Sequence, residues 1–152
     1  MDTVSIEAAT ADDLPLLVRH RRGMYREMGY ADQRLDRMQE ASHDFLAEAM
    51  RDGSYYGWVV KIAGRVVSSG GLHFVEWPPG GDDPGTRRAW IHGIYTEPDF
   101  RRRGLGRRLI EWIVAWCREK GCSAVFLHAS QQGRPLYESM GFRPGSEMRL
   151  EL

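Results

Sequence analysis

The chain has almost nothing with which to staple itself or hold a metal: two cysteines in 152 residues, Cys117 and Cys122, with no Cys-x-x-Cys pair and no Cys/His cluster. A disulfide framework and a zinc site are thereby excluded, and a reduced, cytoplasmic setting is the simplest expectation. Net charge is missing as well. Lysine plus arginine and aspartate plus glutamate both number 21, so the field of the whole molecule gives no reason to expect a polyanion partner such as nucleic acid. No apolar run approaches the roughly 18 residues that span a bilayer, and MDTVSIEAATADD lacks a basic stretch followed by an apolar one. The expectation is a soluble, unprocessed chain with no membrane partner. Nor is there a repeat, linker or low-complexity tract, and a 42% hydrophobic content over this length suits a single domain, residues 1–152.

What is present alternates between two periodicities. Residues 4–9 read as a strand, and Thr10 with Asp13 three positions on reads as a helix start. Leu14, Leu17, Val18, Met24, Tyr25 and Met28 then recur at helical spacing up to Gly29, and Leu35, Met38, Phe45, Leu46 and Ala49 repeat the pattern to about Met50. YYGWVVKI and RVVSSGGLHFVEW, separated by Ala63-Gly64, predict a hairpin. PPGGDDPG, 78–85, predicts a surface loop. RRAWIHGIYT predicts a strand, 105–120 a helix, CSAVFLHA a strand, 134–140 a short helix, and the tail from Phe142 through SEMRLEL a last strand or two. This order predicts an α/β (α+β) domain with a mixed sheet.

The densest feature is TEPDFRRRGLGRRLIEW, which sets Arg101, Arg102, Arg103, Arg107 and Arg108 around Gly104 and Gly106 between a strand and an amphipathic helix. A Walker loop is excluded because no lysine is followed by Ser or Thr. A dinucleotide fingerprint fails at its third glycine, where Leu109 stands. A nucleic-acid patch lacks an aromatic ladder and a basic surround. What fits is a turn whose successive amides, helped by glycines without Cβ atoms, point into one concavity at the start of a helix and hold a phosphate group. The arginines argue the same way. Cations are unfavourable at a helix N-terminus by about 0.3–1 kcal/mol, so five of them there make most sense around a bound anion.

These residues carry a family resemblance. Ile94-Tyr95-Thr96, then Pro98, then Arg101-x-x-Gly104-x-Gly106, Leu109-Ile110, and later Leu136-Tyr137-Glu138-x-x-Gly141-Phe142 resemble the GNAT acetyl-CoA-dependent N-acetyltransferases. The resemblance implies a central mixed, mostly antiparallel sheet flanked by helices, whose fourth and fifth strands splay apart to admit the pantetheine arm. It implies that the loop of Arg101, Arg102, Arg103, Gly104, Leu105, Gly106 and Arg107 binds the pyrophosphate of coenzyme A. It also implies that the main chain of the Ile94-Tyr95-Thr96 segment, through Ile94 and Thr96, bonds the pantetheine amides, one such amide polarising the thioester carbonyl. Tyr137 would protonate the departing thiolate. Ser130 stands where the family often has an asparagine that contacts the pantetheine arm, which implies a weaker contact here. The amine would attack directly, without a covalent acyl-enzyme.

An alkyl ammonium with a pKa of about 10.4 is free base in roughly one molecule in two thousand at neutral pH, a cost of about 4.6 kcal/mol. Strand alternation predicts that His92 shares a face with Ile94 and Thr96, which makes it the first candidate for general base; His73, Glu76 and water are alternatives. RRGMYREMGYADQRLD, with Tyr25, Met28 and Tyr30, is the candidate acceptor wall. The expected acceptor is a small-molecule primary amine, with a peptide or protein amine as the second reading. A non-catalytic acyl-CoA-binding module is the reading from another class. EMRLEL offers an edge through which two copies could pair.

Overall fold

The computed structural model describes residues 2–152. Five strands lie side by side in chain order: β1 (Val4–Ala8), β2 (Tyr55–Ile62), β3 (Arg65–Glu76), β4 (Arg87–Thr96) and β5 (Val125–Leu127). The first four run antiparallel, and β5 joins β4 in parallel. Four helices flank the sheet: α1 (Leu14–Glu27), α2 (Asp32–Asp52), α3 (Leu105–Glu119) and α4 (Arg134–Ser139). The mixed, mostly antiparallel sheet agrees with the expected class.

Local chemistry accounts for the element ends. The Asp13 carboxylate accepts the Thr10 backbone N–H at 2.8 Å, closing the turn that leads into α1. The β2–β3 hairpin turns on Ala63 and Gly64, both at positive φ (48° and 77°), the handedness that matches the twist of the flanking strands. The loop at 78–85 is pinned through Asp83, whose carboxylate accepts from Ser123 Oγ at 2.6 Å and from Gly85 N at 2.8 Å.

Each face of the sheet has its own core. Trp58, Val60, Leu72 and Ile91 pack against Leu105, Leu109, Ile110 and Ile113 of α3. On the other face Tyr55 and Val59 meet Leu14, Leu17 and Val18 of α1 and Leu46 and Ala49 of α2. Burial of each such side chain contributes about 1.5–3 kcal/mol, so the sheet is held from both sides.

Two irregularities in β4 matter for function. Gly71 pairs with His92, but Ser69 pairs with Tyr95, so β4 carries one residue more than β3 over this stretch. The extra residue is a bulge at Gly93, whose φ is 71°. It overturns the alternation argument: Ile94 packs with the α3-side core, whereas His92 stacks on Tyr55 and Tyr95 on His20, toward α1 and α2. His92 and Ile94 therefore lie on opposite faces. In addition, β4–β5 pairing ends at Ile91 and Leu127, so the two strands part where the bulge begins.

Two further expectations are corrected. The strand within CSAVFLHA is three residues long. Among the described residues the tail after Phe142 forms no strand. Pro144 and Gly145 interrupt it, and a three-residue β5 offers too short a ladder to fix it. Among the described residues no helix is long and apolar enough to cross a membrane, and no three His, Cys, Asp or Glu side chains gather as a metal-binding group.

Candidate active site

The arginine-glycine loop folds as its composition demands. Arg102 and Gly104 both take positive φ (62° and 73°), two residues apart, a geometry that turns successive amides toward one side. Gly104 then caps α3. Among the described residues, the N–H groups of Arg102, Arg103, Gly104, Leu105, Gly106 and Arg107 meet no acceptor in the protein. A Cβ placed on Gly104 would meet nothing within 4 Å, and one on Gly106 would stand 4.0 Å from Leu136 of α4. The turn is thus unfilled by the protein's own side chains and borders the helix that carries Tyr137. Six donors at a helix start fit a diphosphate.

The arginines divide by partner. Arg101 is not free for a phosphate: its Nε donates to the Thr96 carbonyl at 2.9 Å and its Nη2 to Glu27 at 2.6 Å, tying loop, β4 and α1 together. Arg107 donates to Ser139 Oγ at 2.6 Å, fastening α3 to α4. Arg103 lies over Phe100 and donates to the Asp99 carbonyl. Arg102 and Arg108 are exposed and, among the described residues, their side chains make no hydrogen bond.

Tyr137 is held from below by Gly133, where a Cβ would fall 3.1 Å from its ring, and edge-on by Phe142 at 5.7 Å. Its hydroxyl makes no hydrogen bond among the described residues. Burial pushes its pKa above the ordinary phenol value, so it stays protonated at neutral pH. Ser130 Oγ accepts the Gly133 N–H at 3.1 Å, and its carbonyl accepts from Arg134; it organises the start of α4. The Tyr95 ring points away from the β4–β5 gap: it lies 5.0 Å from His20, and a Cβ on Gly23 would fall 2.9 Å from its hydroxyl. Only its main chain remains a candidate contact.

On the α1–α2 side of the bulge stands a polar aromatic cluster. Phe45 stacks on His73 at 5.1 Å, His73 approaches His92 at 6.2 Å, and His92 meets Tyr55 at 5.5 Å. Arg21 Nη1 donates to His92 Nδ1 at 3.1 Å, and Nη2 reaches the Tyr25 hydroxyl at 3.5 Å. A guanidinium only donates, so His92 Nδ1 is the accepting nitrogen and its Nε2 carries the proton. Burial first, then Arg21 and His73, push the His92 pKa down to about 3. Such an imidazole is a poor proton acceptor, and the nitrogen that could accept is already engaged. His73 is also shifted down by burial, and its Nδ1 is buried without a partner. Glu76 lies exposed opposite Arg87, five residues along β3 from the bulge, and is remote from this cluster.

Arg21 is the residue that sequence reasoning missed. It falls at helical spacing from Leu14, Leu17 and Val18, so an arginine on the buried stripe of α1 was the available signal. Two open depressions lie elsewhere: one lined by Met28, Gly29, Tyr30, Ala31 and Arg34, the other where the end of α3 meets the start of β4. Neither includes Tyr137, His92 or Gly104. Met28 and Tyr30 belong to the first, so of the proposed acceptor wall only Tyr25 reaches the His73–His92 cluster, through Arg21.

Comparison with known proteins identifies the family and the fold. The model of the acetyltransferase (GNAT) family matches residues 18–142. A glucosamine 6-phosphate N-acetyltransferase of Trypanosoma brucei brucei is 36% identical over 91 residues, 59% of this chain and 59% of that protein, so the match spans less than two thirds of that relative's length. A crystal structure of a GCN5-related N-acetyltransferase from Ralstonia eutropha is 36% identical, covers 99% of both chains and superposes with a TM-score of 0.93. A predicted acetyltransferase of Clostridium acetobutylicum solved with acetyl-CoA shares the fold at a TM-score of 0.87 and 23% identity, covering 99% of this chain and 96% of that one.

Proposed function

Because the chain belongs to the acetyltransferase (GNAT) family, we propose that it is an acetyl-CoA-dependent N-acetyltransferase that acts on a primary amine of a small molecule, by direct attack. The observation that carries the proposal is the run of six acceptorless amides from Arg102 to Arg107, opening beside the helix that holds Tyr137. Acetyl-CoA, when bound, supplies the acetyl group as a thioester. The loop amides would hold its diphosphate, with Arg102 and Arg108 free to pair with it. The β4 main chain at Ile94, freed from β5 by the parting of the strands, would bond the pantetheine amides. The Thr96 carbonyl is already taken by Arg101.

On the opposite face of β4, the cluster of His73, His92, Tyr55 and Arg21 would face the amine. The guanidinium and the low-dielectric surroundings both disfavour an ammonium there, so the acceptor loses its proton to water more readily than in bulk. The amine nitrogen forms the new C–N bond as the C–S bond breaks. Tyr137 donates its phenolic proton to the departing sulfur, and the proton released by the nitrogen restores the balance through solvent. Cys117 is unsuited to take an acyl group: it is buried, and burial together with Cys122 raises its thiol pKa. The two unpaired thiols support a cytoplasmic setting, and the unpaired tail supports a homodimer.

Isothermal titration with acetyl-CoA tests the cofactor part: a saturable heat in the micromolar range is expected, and its absence would reject the assignment. Tyr137→Phe separates an enzyme from a binding module. Turnover should fall by about a hundredfold while acetyl-CoA binding stays within a few-fold.

A further inference from the structure

Resting on that reading, we infer that the acceptor amine carries an anionic oxygen group, a carboxylate or a phosphate, and that Arg21 receives it. The guanidinium stands at the bulge itself: Nη1 lies 3.1 Å from His92 Nδ1, and a Cβ on Gly93 would be 3.8 Å from the same nitrogen. Its partners are neutral. His92 is held uncharged by burial, and Tyr25 contributes a hydroxyl and a ring face 5.3 Å from the guanidinium carbon.

Among the described residues no carboxylate lies within ion-pair distance of Arg21, although carboxylates nearby pair with other groups. Glu27, the acidic residue of α1, is bound to Arg101; Glu97 pairs with Arg65 and faces His20; Asp32 and Asp36 hold Arg22. Arg22, Arg26 and Arg101 thus each face a carboxylate and Arg19 is exposed to solvent, whereas the half-buried Arg21 has no counter-charge. A half-buried guanidinium with only neutral partners is poorly compensated, and a planar fork of donors suits a carboxylate or phosphate arriving from outside. His92 and Tyr25 fix its orientation in advance, the office left to His92 once it is unfit as a base. Because the guanidinium touches the bulge where β4 leaves β5, the anionic group must sit on the same small skeleton as the reacting nitrogen.

The test uses matched acceptor pairs in a thiol-release assay: α- and β-amino acids against their amides, and amino-sugar phosphates against the free amino sugars. The two arms separate carboxylate from phosphate. With the wild-type chain, the anionic member of at least one series should exceed its neutral twin in kcat/KM by about 10- to 100-fold, the usual worth of a charge-assisted bidentate pair. Arg21→Gln should bring the twins within about threefold by raising KM for the anionic one, and Arg21→Lys should fall between. Calorimetry of the same pairs on CoA-loaded protein reads the preference without turnover. Neutral twins used or bound as well as the anionic ones, or an Arg21→Gln loss equal for both, would overturn the inference while leaving the acetyltransferase reading intact. Failure to bind acetyl-CoA at all would remove both.

Discussion

At the scale of single residues, His92 shows how far a side chain's role depends on what surrounds it. A strand histidine near the reaction centre invites the part of general base, yet its accepting nitrogen is taken by Arg21 and burial holds it neutral. This has a pH consequence. A histidine whose folded pKa of about 3 lies below its unfolded value of 6.5 binds fewer protons folded than unfolded between those limits, so its contribution to stability is intact above pH 6.5 and erodes as pH falls toward 3. Each pH unit in that window costs about 1.4 kcal/mol. His92→Gln keeps an acceptor for Arg21 and removes the titration; urea melts at pH 7 and pH 5 should show a smaller acid penalty in the variant, by about 2 kcal/mol. An unchanged penalty would mean that His92 does not titrate as its burial implies. The sequence displayed the histidine but hid its face, because one inserted residue at Gly93 reverses the alternation, and a glycine letter does not announce its φ.

At the scale of elements, the turn proposed to hold the diphosphate was legible as a turn because its backbone chemistry is local. Two glycines, a strand before and a helix after are all visible in order, and backbone amides need no distant partner to be placed. Arg101 was legible as a motif residue but not in its use, since the carboxylate it binds, Glu27, stands 74 positions away on α1. Its bonds to Glu27 and Thr96 make it a clasp for the loop. Gly104 isolates the backbone contribution: an alanine there meets no atom within 4 Å, so the whole effect comes from forcing a Cβ into φ 73°. Gly104→Ala should therefore cost about 1 kcal/mol of stability in a thermal melt and weaken acetyl-CoA binding by about tenfold in calorimetry, as the amides rotate out of alignment. Retained affinity would show that the diphosphate is held by arginine side chains instead.

At the scale of the whole molecule, the unfinished edge of the sheet is the dominant feature. The order ends at β5, three residues long, and the tail beyond Gly145 alternates Met148, Leu150 and Leu152 with Glu147, Arg149 and Glu151, the pattern of a half-buried strand. Yet Met148 is 93% and Leu150 83% exposed, so the apolar face of that pattern covers nothing within one chain. The pattern was legible in the sequence, while its pairing was not, because the partner ladder is absent from the chain's own sheet. In the proposed homodimer a second copy would repair both defects at once, each tail lying against the other copy's β5 edge in a closed two-fold arrangement. Light scattering should give twice the mass of one chain. Removing residues 148–152 should give monomers that still bind acetyl-CoA, because the cradle around Gly104 and the helix bearing Tyr137 take no residue from the tail. A monomeric parent chain, or a truncated chain that still pairs, would place the dimer elsewhere or nowhere.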